Sequence, residues 1–195
     1  AHGLAGNVIV LGNNMTANNP STPPPMIDRA LLARRQARAH RMGAETFLLD
    51  RVAEDLAERL SVVTRRFTRA ADIATPDALL AERLALLVDH VARAEIDTSE
   101  RLHLAPTSCD LAVSALGLQF INDLPGLMVQ IRRALKPDGL FLAAMIGGET
   151  LTELRQAFMA AEAEIEGGIS PRVIPFADLR DMGALLQRAG FALPV

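Results

Sequence analysis

Residues 109–116 read Cys109-Asp110-Leu111-Ala112-Val113-Ser114-Ala115-Leu116, a near-continuous apolar run of strand length. An inner strand of a parallel sheet reads this way because helices cover both of its faces and leave no side to solvent. Toward the C-terminus, Asn122 and Asp123 offer caps for a helix whose Leu124, Leu127, Met128, Ile131 and Leu135 share one face. Lys136-Pro137-Asp138-Gly139 then predicts a turn, with proline presetting φ and glycine accepting a positive φ, and a strand follows from Leu140 to Met145. Toward the N-terminus, Leu49, Val52, Ala53, Leu56 and Leu60 recur at helical spacing, which predicts a helix over Glu45 to Leu60 packed on the sheet. Ala70 to Ala74 reads as a strand, followed by a proline and a second helical pattern through Leu79, Leu80, Leu84 and Leu87. Strand alternates with helix, so the expected fold class is α/β, three layers around a mainly parallel sheet. Ala70–Ala74, Cys109–Leu116 and Leu140–Met145 should be neighbouring strands, with ligands at their carboxyl ends.

Beyond the last of these strands, Thr150 and Glu153 have capping-box spacing ahead of Leu151, Leu154, Phe158, Ala161 and Ile165, and Gly167 with Gly168 should end that helix. A further helix is expected from Ala177 to Ala189, stopping at Gly190. Phe191 to Val195 reads as a strand-like end that leaves an open sheet edge, so a protein partner or homo-oligomer is expected to cover it. Residues 1–25 carry no Asp, Glu, Lys or Arg and are rich in Asn, Gly, Ser and Pro, which predicts a flexible lead-in to one domain over 26–195. From Asp28 to Arg69 ten arginines face six acidic residues, either a solvated helix face or a contact for an acidic partner.

Composition narrows the function classes. The 195 residues are 50% apolar and 22% charged, typical of an ordinary globular domain, and the formal charge of −3 argues against a nucleic-acid surface. The single cysteine, Cys109, rules out an internal disulfide framework and fits a reducing, cytoplasmic compartment. No apolar run reaches the roughly 20 residues a membrane span needs, and Val8 to Leu11 lacks the flanks of a signal peptide. Lys136 is the sole lysine, an arginine bias that fits a GC-rich bacterial genome. His40, His90 and His103 are scattered without ligand spacing, so no metal site is expected, and Ser114 and Ser170 lack the turn a hydrolase nucleophile requires.

The order of several short motifs carries a resemblance. Asp110-Leu111-Ala112-Val113-Ser114-Ala115-Leu116, Asn122-Asp123-Leu124-Pro125, Leu135-Lys136-Pro137-Asp138-Gly139, Gly147-Gly148-Glu149-Thr150-Leu151 and Glu166-Gly167-Gly168-Ile169-Ser170-Pro171 resemble class I S-adenosylmethionine-dependent methyltransferases. Within that family the chain is most similar to the branch of respiratory complex I assembly factors, to which an arginine modification is attributed, and then to biotin-pathway carrier-protein methyltransferases. The resemblance begins at Asp28-Arg29-Ala30-Leu31-Leu32 and runs through residues 26–195. It implies a Rossmann-like methyltransferase fold and S-adenosylmethionine as cofactor.

The family's first strand ends in an acidic residue followed by alternating glycines, because the backbone must approach the cofactor where a Cβ would intrude. The matching residues are Asp72, Ile73, Ala74, Thr75, Pro76, Asp77 and Ala78, with Ala74, Pro76 and Ala78 at the glycine positions. Proline removes an N–H and fixes φ, so this loop is not expected to keep the usual curve. The chain is shorter than its relatives before Cys109, leaving little room for the second βα unit, and Asp89, Glu95 and Asp97 are the candidates for the ribose-binding carboxylate. The family's His-Trp pair is Gln119-Phe120, and Gln119 can hydrogen-bond but cannot act as a general base. The resemblance thus assigns cofactor contacts to Asp72, Ala74, Thr75, Asp97, Ser114 and Gln119, and no catalytic residue. Two functions stay open: a methyltransferase with an impaired cofactor site, or a non-catalytic pseudo-methyltransferase serving as scaffold, assembly factor or subunit.

Overall fold

The computed structural model describes residues 25–192. The expected lead-in and the end of the Phe191–Val195 segment therefore lie largely outside the described residues. In chain order the elements are α1 (Arg29–Arg41), α2 (Phe47–Ser61), β1 (Arg69–Ile73), α3 (Leu79–Leu84), β2 (His90–Ala94), β3 (Cys109–Ala115), a 3-10 turn (Leu118–Phe120), α4 (Leu124–Ala134), β4 (Leu135–Ala144), α5 (Thr152–Ile165) and α6 (Leu179–Arg188).

The four strands form one parallel sheet in the order β2-β1-β3-β4. Every residue of β3 is buried, as its apolar run predicts for a strand with both faces covered. Leu111, Val113 and Ala115 pack with Leu49, Ala53 and Leu56 of α2 and Leu80 and Leu84 of α3. On the opposite face, Ala71, Ile73 and Ala112 meet Leu127, Met128 and Ile131 of α4 and Leu185 of α6. Two helical layers around one sheet give the α/β architecture expected from the alternation.

Four details depart from the sequence reading. The second strand is present: β2 runs parallel to β1, with Ala71 opposite Ala92. Its sequence, HVARA, sits at a sheet edge and is mostly solvent-exposed, so it carries no apolar signature. What is missing between β2 and β3 is a helix. The connection is a loop braced by an antiparallel bridge between Ile96 and Leu102.

The Lys136–Gly139 turn lies inside β4 as a bulge, since Leu135 pairs with Cys109 and Leu140 with Leu111. Asp138, not Gly139, takes the left-handed backbone, at φ +58, as a short polar side chain permits. Gly139 is needed for closeness: a Cβ there would lie 2.9 Å from the Lys136 carbonyl oxygen.

The capping box at Thr150 does not form. Leu151 adopts φ +60, α5 starts at Thr152, and the Thr152 hydroxyl donates to the Glu149 carbonyl at 2.7 Å. Finally, Phe191 is not in a strand. Its ring packs on Phe141 with centroids 5.5 Å apart, closing the α6 side of the core.

Candidate functional site

The carboxyl ends of β1, β2 and β3 converge on a cleft of about 340 Å³ roofed by α1. The β1 loop forms its floor. Ala74 takes φ +55, the left-handed bend that glycine favours, and its N–H donates to the Ala94 carbonyl at 3.0 Å. The loop therefore turns through a left-handed alanine. The Thr75 hydroxyl ties this loop to both neighbours: it donates to the Asp72 carboxyl and accepts from the Ala115 N–H at 3.1 Å. Arg93 reaches over from β2, where its Nη2 donates to the Thr75 carbonyl at 2.9 Å and its Nε lies 3.8 Å from Asp72 Oδ2.

Asp72 is 1% exposed, and burial pushes its carboxyl up to about 6, against the lowering pull of Thr75 and Arg93. Its Oδ2 has no hydrogen-bond partner among the described residues. Further along the loop, the Asp77 carboxylate accepts from the Ala78 N–H at 2.6 Å and the Leu79 N–H at 3.3 Å. Those amides serve the start of α3.

The roof is held at its two ends. Asp28 caps α1 by accepting from the Leu31 N–H at 2.9 Å. Arg29 then donates to the Ile96 carbonyl at 3.0 Å and the Phe120 carbonyl at 3.3 Å, fastening the helix to the loops after β2 and β3. At the other end His40 Nε2 lies 3.2 Å from the Pro76 carbonyl oxygen. Between these ties Leu32, Ala33, Gln36 and Ala37 line the cleft, although no residue of α1 is buried.

The structure gathers some sequence candidates and separates others. Asp72, Ala74 and Thr75 line the cleft together. Glu95, the first residue past β2, lines it as well, which makes it the carboxylate at the end of the second strand. Asp97 does not line it. Its carboxylate closes a turn, held well below the usual carboxylate range by the Arg101 N–H and the Ser99 hydroxyl, with His103 at 2.9 Å. Asp89 precedes β2 and pairs with Arg66 at 2.7 Å. Ser114 is fully buried within β3 and does not line the cleft.

Gln119 belongs to a second, largely apolar cavity of about 260 Å³, walled by Met145, Pro175 and Phe176 among others. Its Nε2 donates to the Leu116 carbonyl at 2.8 Å, which fixes the amide and leaves Oε1 without a partner among the described residues. Sequence reasoning missed Arg93 and the roofing role of α1. Neither carried a local signal, because β2 is an exposed edge and α1 has a weak apolar stripe.

Among the described residues no cluster of His, Cys, Asp and Glu could hold a metal ion, and no helix is long and apolar enough to cross a membrane. Cys109 is buried, and burial raises its thiol, so it is not an activated nucleophile.

Residues 55–143 match the methyltransferase domain family. The chain is 36% identical over 165 residues to arginine-hydroxylase NDUFAF5, mitochondrial, of Danio rerio, covering 74% of this chain and 51% of that protein. It is 42% identical over 96 residues to malonyl-[acyl-carrier protein] O-methyltransferase of Gallionella capsiferriformans, covering 49% and 31% respectively. Among solved structures, Haemonchus contortus phosphoethanolamine N-methyltransferase 2 in complex with S-adenosyl-L-methionine superimposes with a TM-score of 0.52 at 19% identity, covering 72% of this chain and 36% of that one. The chain spans about half the length of the NDUFAF5 relatives it matches.

Proposed function

We propose, from the match of residues 55–143 to the methyltransferase domain family, that the cleft beneath α1 is an S-adenosylmethionine site in impaired form. The residues fit the nucleoside half of the cofactor. Glu95 supplies acceptors at the end of β2, where ribose hydroxyls would donate, and about 340 Å³ is within the range of small-molecule sites. They do not fit the methionine half. Pro76 has no N–H to offer, Ala74 and Ala78 put methyl groups on a loop that relatives keep bare, and the Thr75 carbonyl is taken by Arg93.

The observation that carries this reading is the Arg93 tie to Thr75. A ligand amine seeking that carbonyl has to share it with the Arg93 guanidinium, a like charge that already makes a charge-assisted hydrogen bond there. The function that follows is a methyltransferase-family protein related to NDUFAF5, acting as a scaffold or assembly factor in respiratory complex I biogenesis, with a protein partner. Its single cysteine, free and buried, suits a reducing compartment such as the cytoplasm.

Titration calorimetry of the purified chain with S-adenosylmethionine tests the proposal. Binding absent, or weaker than about 1 mM, is the expected result. A low-micromolar dissociation constant overturns it and restores the catalytic reading.

A further inference from the structure

The two faces of α1 differ in kind. Arg29, Leu32, Ala33, Gln36, Ala37 and His40 recur three and four residues apart and line the cleft. On the opposite side of the same helix, Arg34, Arg38 and Arg41 recur at i, i+4 and i+7, with Arg35 beside them, and all four are exposed. None of the four has an acidic partner or a hydrogen bond from its side chain among the described residues, and residues 1–24 contain no Asp or Glu.

The chain lays out charge differently elsewhere. In α2, Arg51 pairs with Glu54 at 3.1 Å and Arg59 with Asp55 at 2.7 Å, each within one turn. Helix α1 holds five arginines and no acid, so Arg34 and Arg38, Arg35 and Arg38, and Arg38 and Arg41 are like-charge neighbours that repel. With a net charge of −3 for the whole chain, everything outside α1 sums to −8. The cationic face is thus a local reversal of the molecule's field, and a local departure from helix rules points to a function.

We propose that the outer face of α1 docks an acidic polypeptide segment, whose carboxylates take the forked guanidinium groups of Arg34, Arg35, Arg38 and Arg41. A polypeptide fits better than a nucleic acid. The face spans about 10 Å at 1.5 Å per residue, the length of about two helical turns of a partner and short for a phosphate track. The chain has no Trp or Tyr to stack bases. This inference stands on the charge pattern alone and does not depend on whether the cleft binds a cofactor.

The test is fluorescence anisotropy with a labelled peptide of twelve glutamates, repeated at rising salt, with single-stranded oligothymidylate as the competing class of partner. One variant changes Arg34, Arg35, Arg38 and Arg41 to Gln, a helix former that keeps α1 intact, and circular dichroism checks the fold. A control variant changes the exposed Arg101, Arg133, Arg180 and Arg188 to Gln, removing the same charge elsewhere. The expected result is wild-type binding that weakens with salt, a loss of at least about tenfold in the α1 variant and under about threefold in the control. Replacing the four α1 arginines with Lys should restore most of the binding. Equal losses in both variants, no binding by the wild type, or tighter binding of the oligothymidylate overturns the proposal.

Discussion

Gly117 and Ala74 meet across the ends of β3 and β1 so closely that a Cβ on Gly117 would lie 2.1 Å from the Ala74 carbonyl oxygen and 2.8 Å from its carbonyl carbon. Both atoms are backbone, so no rotamer change makes room. Gly117→Ala should destabilise the fold by about 1–3 kcal/mol, read as a lower urea midpoint. Ala74→Gly should have the opposite sign. It relieves a left-handed alanine that costs roughly 1–2 kcal/mol, offset by about 0.4–1 kcal/mol of extra unfolded-chain entropy, so the net gain is below about 1.5 kcal/mol. A large loss of stability in Ala74→Gly would show that the methyl, not the backbone bend, holds the floor.

Asp72 gives the cleft a pH dependence of defined sign. Its folded value, about 6, lies above its ordinary 3.8, so the folded state binds more protons between those limits. Its contribution to stability therefore falls as pH rises from about 4 to about 6 and is level above that. The span is roughly 3 kcal/mol at 1.36 kcal/mol per unit. Asp72→Asn removes the titration while keeping an acceptor for Thr75. Urea midpoints of wild type and variant measured from pH 4 to 8 should converge toward the acid end and separate toward neutrality, with the variant more stable. Parallel curves would show that Asp72 stays ionised throughout.

Asp110 does opposite work at the amino end of the sheet. It accepts from the Thr68 N–H, the Thr68 hydroxyl at 2.6 Å and the Arg69 N–H at 2.9 Å, with Lys136 Nζ 3.7 Å away. Burial would raise its carboxyl, but these donors more than offset it and hold it below the ordinary value. Its stabilisation is present above the ordinary carboxylate range and is lost as pH falls through the lowered folded value. Asp110→Ala leaves the Thr68 and Arg69 amides without acceptors and should cost about 1–3 kcal/mol near neutral pH in chemical denaturation.

Glu162 anchors the wall of the second cavity. Its carboxylate accepts from the Ser170 N–H at 2.7 Å and the Ser170 hydroxyl at 2.9 Å and is paired with Arg172, all of which hold it below the ordinary value. Residues 174–177 line the cavity just beyond. Glu162→Ala should raise hydrogen exchange across 168–177 and leave the amides of β1 and β3 protected. Unchanged exchange in that segment would place its anchor elsewhere.

The strands with apolar runs were legible in the sequence because burial on both faces makes every residue of β3 but the hydrogen-bonded Asp110 apolar or small. β2 was not, since an edge strand is exposed and its ladder to β1 is made by backbone atoms that any sequence supplies. The same distinction governs the site. The resemblance marked Asp72, Ala74 and Thr75 at the end of the first strand, but three carboxylates competed for the end of the second strand, and spacing alone did not separate them. The structure separates them through chain geometry: Asp89 precedes β2, Asp97 is consumed by its own turn, and Glu95 follows Ala94 directly into the cleft.

What the sequence determined by itself is the alternation of buried strands and one-sided helices, because this is a local matter of periodicity. Only the tertiary structure decided that Ala74 takes the left-handed bend, that Arg93 crosses to the Thr75 carbonyl and that α1 roofs the cleft. Each of these joins segments about twenty to ninety residues apart through single hydrogen bonds, such as Arg29 to Phe120, and such long-range contacts leave no periodic trace in the chain that makes them.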